Sequence, residues 1–180
     1  ETIAEVNEMR TESEVKIARF SYGTREKPLI DSLPLSLKQK SKIIVEENTL
    51  TLEQGDLDIQ GLKFRMVGAL TVVDEKPSFV DFTVNSENLD LEQILSLLPR
   101  GLLKETESAE IKGNGRIGAA IKGDVGEGKR PEISVEASLS DGKIQYPKLP
   151  KAISDVSFKA KLVSSGSASK LEVTDFSAKF

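Results

Sequence analysis

Residues 62–73, LKFRMVGALTVV, decide how the rest of the chain is read. Phe64, Met66, Gly68, Leu70 and Val72 recur at every second position, against Lys63, Arg65 and Thr71. A period of two places the first set on one face of a β-strand and the second on the other. Asp74–Pro77 then supplies turn residues, and Val80, Phe82 and Val84 continue the alternation. Two adjacent strands of this kind imply an antiparallel meander with one apolar face.

The same rhythm extends in both directions. Upstream, Val15 and Ile17 are followed by Ala18 and Phe20, with a change of face between the pairs. Leu33, Leu35 and Leu37 alternate, with Ile43 and Val45 beyond them, and Asn48 marks a turn. Leu50 and Leu52 alternate on one parity and Leu57 and Ile59 on the other, so a bulge or turn is expected at Gln54-Gly55-Asp56. Residues 1–12 are polar and predict a helical or irregular start, and Tyr22–Ser32, with Gly23 and Pro28, reads as a loop.

Downstream, Ile117, Ala119 and Ile121 end a glycine-rich extended stretch, and Gly123–Arg130 reads as a loop. Ile133, Val135, Ala137 and Leu139 alternate without a fault. Asp141-Gly142 predicts a hairpin, because a type I′ turn needs positive φ at both central residues, with Ile144 and Tyr146 returning. Val156, Phe158, Ala160 and Leu162 form another strand, and Leu171 and Val173 switch parity to Phe176, Ala178 and Phe180 across Thr174-Asp175. The shared order of Leu-Pro, alternating strand and parity switch suggests an internal repeat, about residues 33–85 and a truncated second copy at 149–180.

One segment breaks the two-residue period. In SENLDLEQILSLLPR, residues 86–100, Leu91, Ile94, Leu95 and Leu98 fall at i, i+3, i+4 and i+7, which predicts a short amphipathic helix at about 89–98. Asp90 is its expected N-cap, Gln93 sits where a capping box would place it, and Pro99 and Gly101 stop it. So short a helix needs an apolar support, here one end of the sheet.

Composition narrows the chemistry. The chain has 180 residues, net charge −4 with both signs interspersed, and no electrostatic footprint for nucleic acid. It contains no histidine and no cysteine, which removes the commonest general base, the commonest transition-metal ligand and thiolate chemistry together. Tryptophan is absent and aromatic residues make up 5%, thin for a sugar-binding or base-stacking surface. Gly113-Asn-Gly115-Arg-Ile-Gly118 matches the dinucleotide pattern G-x-G-x-x-G, but only Ala119–Lys122 precede Gly123, so no phosphate-binding helix fits and the glycines belong to a strand or tight turn. Glu105, Glu107, Glu110, Asp56 and Asp58 show no pairing that would single out a hydrolytic site or a calcium loop. The expectation is a non-enzymatic protein with no cofactor and no metal.

An apolar sheet face with one short helix to cover it has three outcomes: closure into a sandwich or barrel, packing on neighbouring units, or an open hydrophobic groove for something long and aliphatic. Here a resemblance bears on the choice. ISVEASLSDGKIQYPKLPKAISDVSFKAKL, residues 133–162, resembles the AsmA-like family of bacterial envelope proteins. So does the stretch from Leu62 to Pro99, GALTV…KPSFVDFTVNSENLDLEQILSLLP. The likeness is carried by the Ser-Asp141-Gly142-Lys-Ile segment, the Tyr146-Pro-Lys-Leu-Pro150 exit and the Val156–Leu162 strand, and covers roughly Leu33–Phe180.

The resemblance, which extends to TamB-like β-groove lipid-transfer proteins, implies a mainly β fold: a curved antiparallel sheet, a taco-like groove or half-barrel of long meandering strands. It also implies a periplasmic location, tethered to the inner membrane by a segment outside this chain, and a role in holding or conducting lipid acyl chains and supporting outer-membrane assembly. The partner implied is a phospholipid or other acyl-chain lipid, with envelope proteins as further partners. The whole of residues 1–180 is then one β-rich fragment of a longer chain, beginning and ending at cuts. The candidate groove face is Phe64, Met66, Leu70, Val80, Phe82, Val84, Ile133, Val135, Leu139, Val156, Phe158 and Leu162. The alternative from the residues alone is a structural or protein-interaction β-sandwich of a surface or secreted protein, with a closed core.

Overall fold

The computed structural model describes residues 7–23, 28–97, 110–146, 150–166 and 168–180. Among the described residues nine strands, β1 (Glu8–Gly23), β2 (Pro28–Ile44), β3 (Thr49–Ile59), β4 (Leu62–Val73), β5 (Lys76–Asp90), β6 (Glu110–Asp124), β7 (Glu132–Gln145), β8 (Ile153–Ser165) and β9 (Ala168–Lys179), lie in sequence order in one antiparallel sheet. β1 and β9 are its open edges. The single described helix, α1 (Leu91–Leu97), follows β5 and packs against β5 and β6. The chain is thus mainly β, a meander left open, and the described strands form one layer rather than the two of a closed sandwich.

Turn chemistry fixes the order. Gln60 and Gly61, at φ 53° and 91°, join β3 to β4, and the Gly61 N–H donates to Asp58 Oδ1 at 2.7 Å. Asp74 and Glu75, at φ 50° and 63°, join β4 to β5. Two successive residues of positive φ give the turn twist that matches paired strands. Asn48, at φ 48°, closes the β2–β3 turn, its N–H donating to the Val45 carbonyl at 3.1 Å.

Bulges keep the apolar face continuous. The parity switch at Gln54-Gly55-Asp56 is a register shift between Leu52 and Gly55, and the one at Thr174-Asp175 is a shift in the β8–β9 pairing with Asp175 at φ 55°. The face change between Ile17 and Phe20 is also an irregularity of the β1–β2 ladder. Each extra residue turns the following side chains back to the face they would otherwise leave. Left-handed residues mark further bulges at Asn88 in β5, Gly113 in β6, Asp141 in β7 and Asp155 in β8. With Asp175 they form a band about three residues wide across five adjacent strands, and bulges bend the strands that carry them.

Several expectations are corrected. Asp141-Gly142 does not reverse the chain: β7 runs through it, Ser140 pairing with Asn114 before it and Lys143 with Lys112 after it. An extra residue at positive φ serves a bulge as well as a turn, and the ladder on both sides decides for the bulge. The polar start is a strand from Glu8 onward, and the stretch expected as a loop contributes Tyr22 and Gly23 to β1 and Pro28–Ser32 to β2, with residues 24–27 outside the described set. Leu89 and Asp90 end β5, so α1 is shorter than the span read from its period, and Leu98, Pro99 and Gly101 lie outside the described residues, as does the Pro-Lys-Leu part of the exit after Tyr146. The glycines of the G-x-G-x-x-G match lie inside β6, which leaves no helix N-terminus for a phosphate.

Candidate functional site

The ladder register places every candidate groove residue on one face. Met66 pairs with Val84, Val84 with Ala119, Ala119 with Val135, and Val135 with Leu162, making one apolar row across five strands. Leu70 pairs with Val80; Phe82 with Gly68 and Ile121; and Ile121 with Ile133. Leu139 faces Phe158 and Gly142 faces Val156, while Phe64 pairs with Leu57. Directly opposed residues point the same way, so the twelve form one surface. Val156 is buried, Ile133 and Leu162 are exposed, and the other nine are half-buried.

The face is wider than the residues singled out in the sequence. β6 supplies Ile111, Ile117, Ala119 and Ile121 between the two candidate pairs of strands, and β2 and β3 extend it through Leu35, Leu37, Leu50, Leu52 and Ile59. At the far edge β9 adds Leu171, 66% exposed, and Phe176, 70% exposed. The same alternation reveals them once the bulges are placed. Following the register outward from Met66, no Asp, Glu, Lys or Arg among the described residues occupies an inward ladder position. Charges sit on the other face, joined across strands as Lys122–Asp81 at 2.6 Å, Lys161–Glu136 at 2.7 Å and Lys159–Asp175 at 2.9 Å.

Cover over the apolar face is slight. The accessible surface is 13289 Å², where a compact monomer of this mass exposes about 8,600 Å². The buried apolar side chains among the described residues are Leu62, Leu89 and Val156. Leu89, 1% exposed, lies near the end of β5, one residue before the Asp90 that precedes α1. Asp90 Oδ1 caps that helix, accepting from the Glu92 N–H at 2.8 Å and the Gln93 N–H at 3.4 Å, and the Gln93 amide donates to the Gln60 carbonyl in the β3–β4 turn. α1 is therefore tied across the end of β3–β6 and leaves the remaining apolar face without a second described layer.

The polar face has open depressions of its own. One of about 480 Å³ is lined by Asn85, Arg116, Glu136, Lys159, Lys161 and Glu172 among others, and another of about 470 Å³ by Lys38, Asp56, Lys63 and Arg65. Ion pairing shifts the flanking groups in the expected directions. Hydrogen bonding to Glu136 raises Lys161 above the ordinary lysine value, Asp175 does the same to Lys159, and Lys170 holds Glu172 below the ordinary glutamate value. These are solvated pairs of opposite sign, and nothing about them sets one group apart as an acid or base. Among the described residues no group of three or more metal-ligating side chains comes together. No protein-family model, curated protein or solved structure matches the chain.

Proposed function

We propose that this chain is a non-enzymatic, lipid-handling segment of the bacterial cell envelope, in which acyl chains lie along the charge-free face of the open sheet. The observation that carries the reading is the register itself: among the described residues, a largely apolar surface extends over nine strands, with no ionisable group at its inward positions and one short helix across one end. Removing an acyl chain from water onto such a surface gains about 25 cal/mol per Å² of apolar area covered. Charged side chains restricted to the opposite face leave the apolar face free of groups that would have to be desolvated. The resemblance of residues 133–162 and of the stretch up to Pro99 to AsmA-like proteins supports an envelope setting. In that setting the chain is periplasmic, tethered to the inner membrane by a segment outside it, works with other envelope proteins, and contributes to outer-membrane assembly.

Solvent extraction of the purified chain followed by mass spectrometry tests the reading. Phospholipid in near-stoichiometric amount is expected from the wild type. Val135→Glu and Leu162→Glu, each placing a charge in the central apolar row, are expected to lose it while keeping a β-type circular dichroism spectrum. Leu162 is 38% exposed, so its replacement tolerates hydration without breaking a sealed core. A lipid-free wild type, or variants that retain lipid, would overturn the proposal.

A further inference from the structure

A polar quartet interrupts the apolar face at its β1–β2 end. Thr11 and Ser13 in β1 pair with Ser41 and Gln39 in β2. All four point to the apolar side, since Ser41 is opposite Leu52 and Gln39 opposite Gly55, which in turn faces Met66. The next row on one side is Met9 with Ile43, and on the other Val15 with Leu37. Thr11 Oγ1 and Ser41 Oγ share a hydrogen bond of 2.7 Å, and Gln39 Nε2 donates to Ser13 Oγ at 3.0 Å. Ser41 is 8% exposed, whereas Thr11 and Ser13 stand at the open edge of the sheet.

These groups are neutral and rich in donors. In the Thr11–Ser41 pair the accepting hydroxyl keeps its own O–H, Ser13 keeps the O–H beside the lone pair it offers Gln39, and the Gln39 amide has a second N–H. We propose, resting on the lipid reading above, that this quartet receives the ester carbonyls of a diacyl lipid. The two tails run inward over β3 and the strands beyond, and the headgroup stays in water at the β1 edge. Ester carbonyls are uncharged acceptors placed where apolar chains begin, which is the order of chemistry met on passing from the β1 edge into the face. A free fatty acid would bring a carboxylate to a face with no cation at its inward positions, and a pure hydrocarbon would leave the donors unanswered.

Two lipids separate these possibilities: a diacyl phosphatidylcholine and its dialkyl ether counterpart, identical in headgroup and tails but without the carbonyls. Each is offered to the chain in vesicles, and transferred lipid is quantified. The wild type is expected to favour the ester by about three- to tenfold, the effect of one or two neutral hydrogen bonds. The double replacement Thr11→Val/Ser41→Val, which exchanges both partners for side chains of similar shape, and separately Gln39→Leu, are expected to bring the ratio toward one with ether binding unchanged. Equal binding of both lipids by the wild type, or an ester preference that survives in both variants, overturns the assignment while leaving the lipid reading in place. Failure of the wild type to take up either lipid removes both.

Discussion

Gly142 faces Val156 across β7 and β8, and a methyl group on its Cα would lie 2.7 Å from the Val156 carbonyl oxygen and 2.9 Å from the Val156 Cβ. The two backbones approach this closely beside the Asp141 bulge, which crowds the strands where it bends them. Gly68 is equally confined: an added Cβ would meet the Asp81 carbonyl oxygen at 2.5 Å and Phe82 Cγ at 2.6 Å, because the Phe82 ring lies over the glycine. Gly115, on the same face, has nothing nearer than 3.5 Å. Gly142→Ala and Gly68→Ala are therefore expected to lower the urea unfolding free energy by about 1–3 kcal/mol. Gly115→Ala should stay within about 0.5 kcal/mol of wild type or gain slightly, since alanine in a strand restricts the unfolded chain more than glycine does. Equal losses at all three would show that the close approach is not what the glycines serve.

The Asp141 bulge makes a second prediction, in which register rather than packing is the variable. Before it, Val135, Ala137 and Leu139 face the apolar side; after it, Gly142 and Ile144 do. Deleting Asp141 would rotate Ile144 to the polar side and Lys143 to the apolar side. The deletion is expected to cost at least about 3 kcal/mol, or to release the ends of β7 and β8 to fast amide exchange. Asp141→Gly, which relieves a side chain from φ 54°, should be neutral or stabilising by up to about 1 kcal/mol. A deletion variant as stable as wild type would mean that the extra residue sets no register.

How legible each feature was depended on which signal the residues carried. Residues 62–73 showed their strand because inward and outward side chains differ in kind. Glu8–Glu14 hid theirs, because Thr11 and Ser13 point inward and are polar, so Glu8, Arg10, Glu12 and Glu14 had no apolar partner set to alternate with. The parity switches at Gln54-Gly55-Asp56 and Thr174-Asp175 were visible as interruptions of a run. Asp141-Gly142 was visible too but ambiguous, since a hairpin and a bulge both need a residue at positive φ, and only pairing to β6 and β8 distinguishes them. The twelve face residues followed from periodicity alone, whereas the Thr11–Ser41 island depends on which strands are neighbours, a property of topology.

Absence of histidine makes the pH dependence simple. Glu8 is held below the ordinary glutamate value of 4.5 chiefly by its hydrogen bond from Lys42, and Glu14 by that from Lys16. A carboxyl depressed on folding contributes stability that is present above its unfolded value and lost as pH falls through the folded one. Lys179 and Lys159 are raised above 10.5 by Asp155 and Asp175, so their contribution is present below that value and lost as pH rises through the folded one. The urea midpoint is expected to be flat from about pH 5 to about pH 10 and to fall on both sides. High salt should flatten both limbs, because the pairs are solvated. A step between about pH 6 and pH 8 would contradict this account, since no side chain present ordinarily titrates there.

The helix divides into two separable contributions. A helix of seven residues makes about two turns and cannot persist in water unsupported, so its order must come from its packing on β5 and β6, where Leu89 is buried, and from the ties at its first turn. Leu89 is among the most buried side chains described, and Leu89→Ala is expected to cost about 2–5 kcal/mol in global stability. Asp90→Ala removes the acceptor for the Glu92 and Gln93 amides and should cost about 1 kcal/mol, confined to α1. In native-state hydrogen exchange the Asp90 variant is then expected to accelerate the Glu92 and Gln93 amides while those of the Val84–Ala119–Val135 row keep their wild-type rates, whereas the Leu89 variant accelerates both sets. Parallel acceleration by Asp90→Ala would mean that the cap supports the whole sheet, and that α1 is part of the core rather than a cover placed on one end of an already formed β-layer.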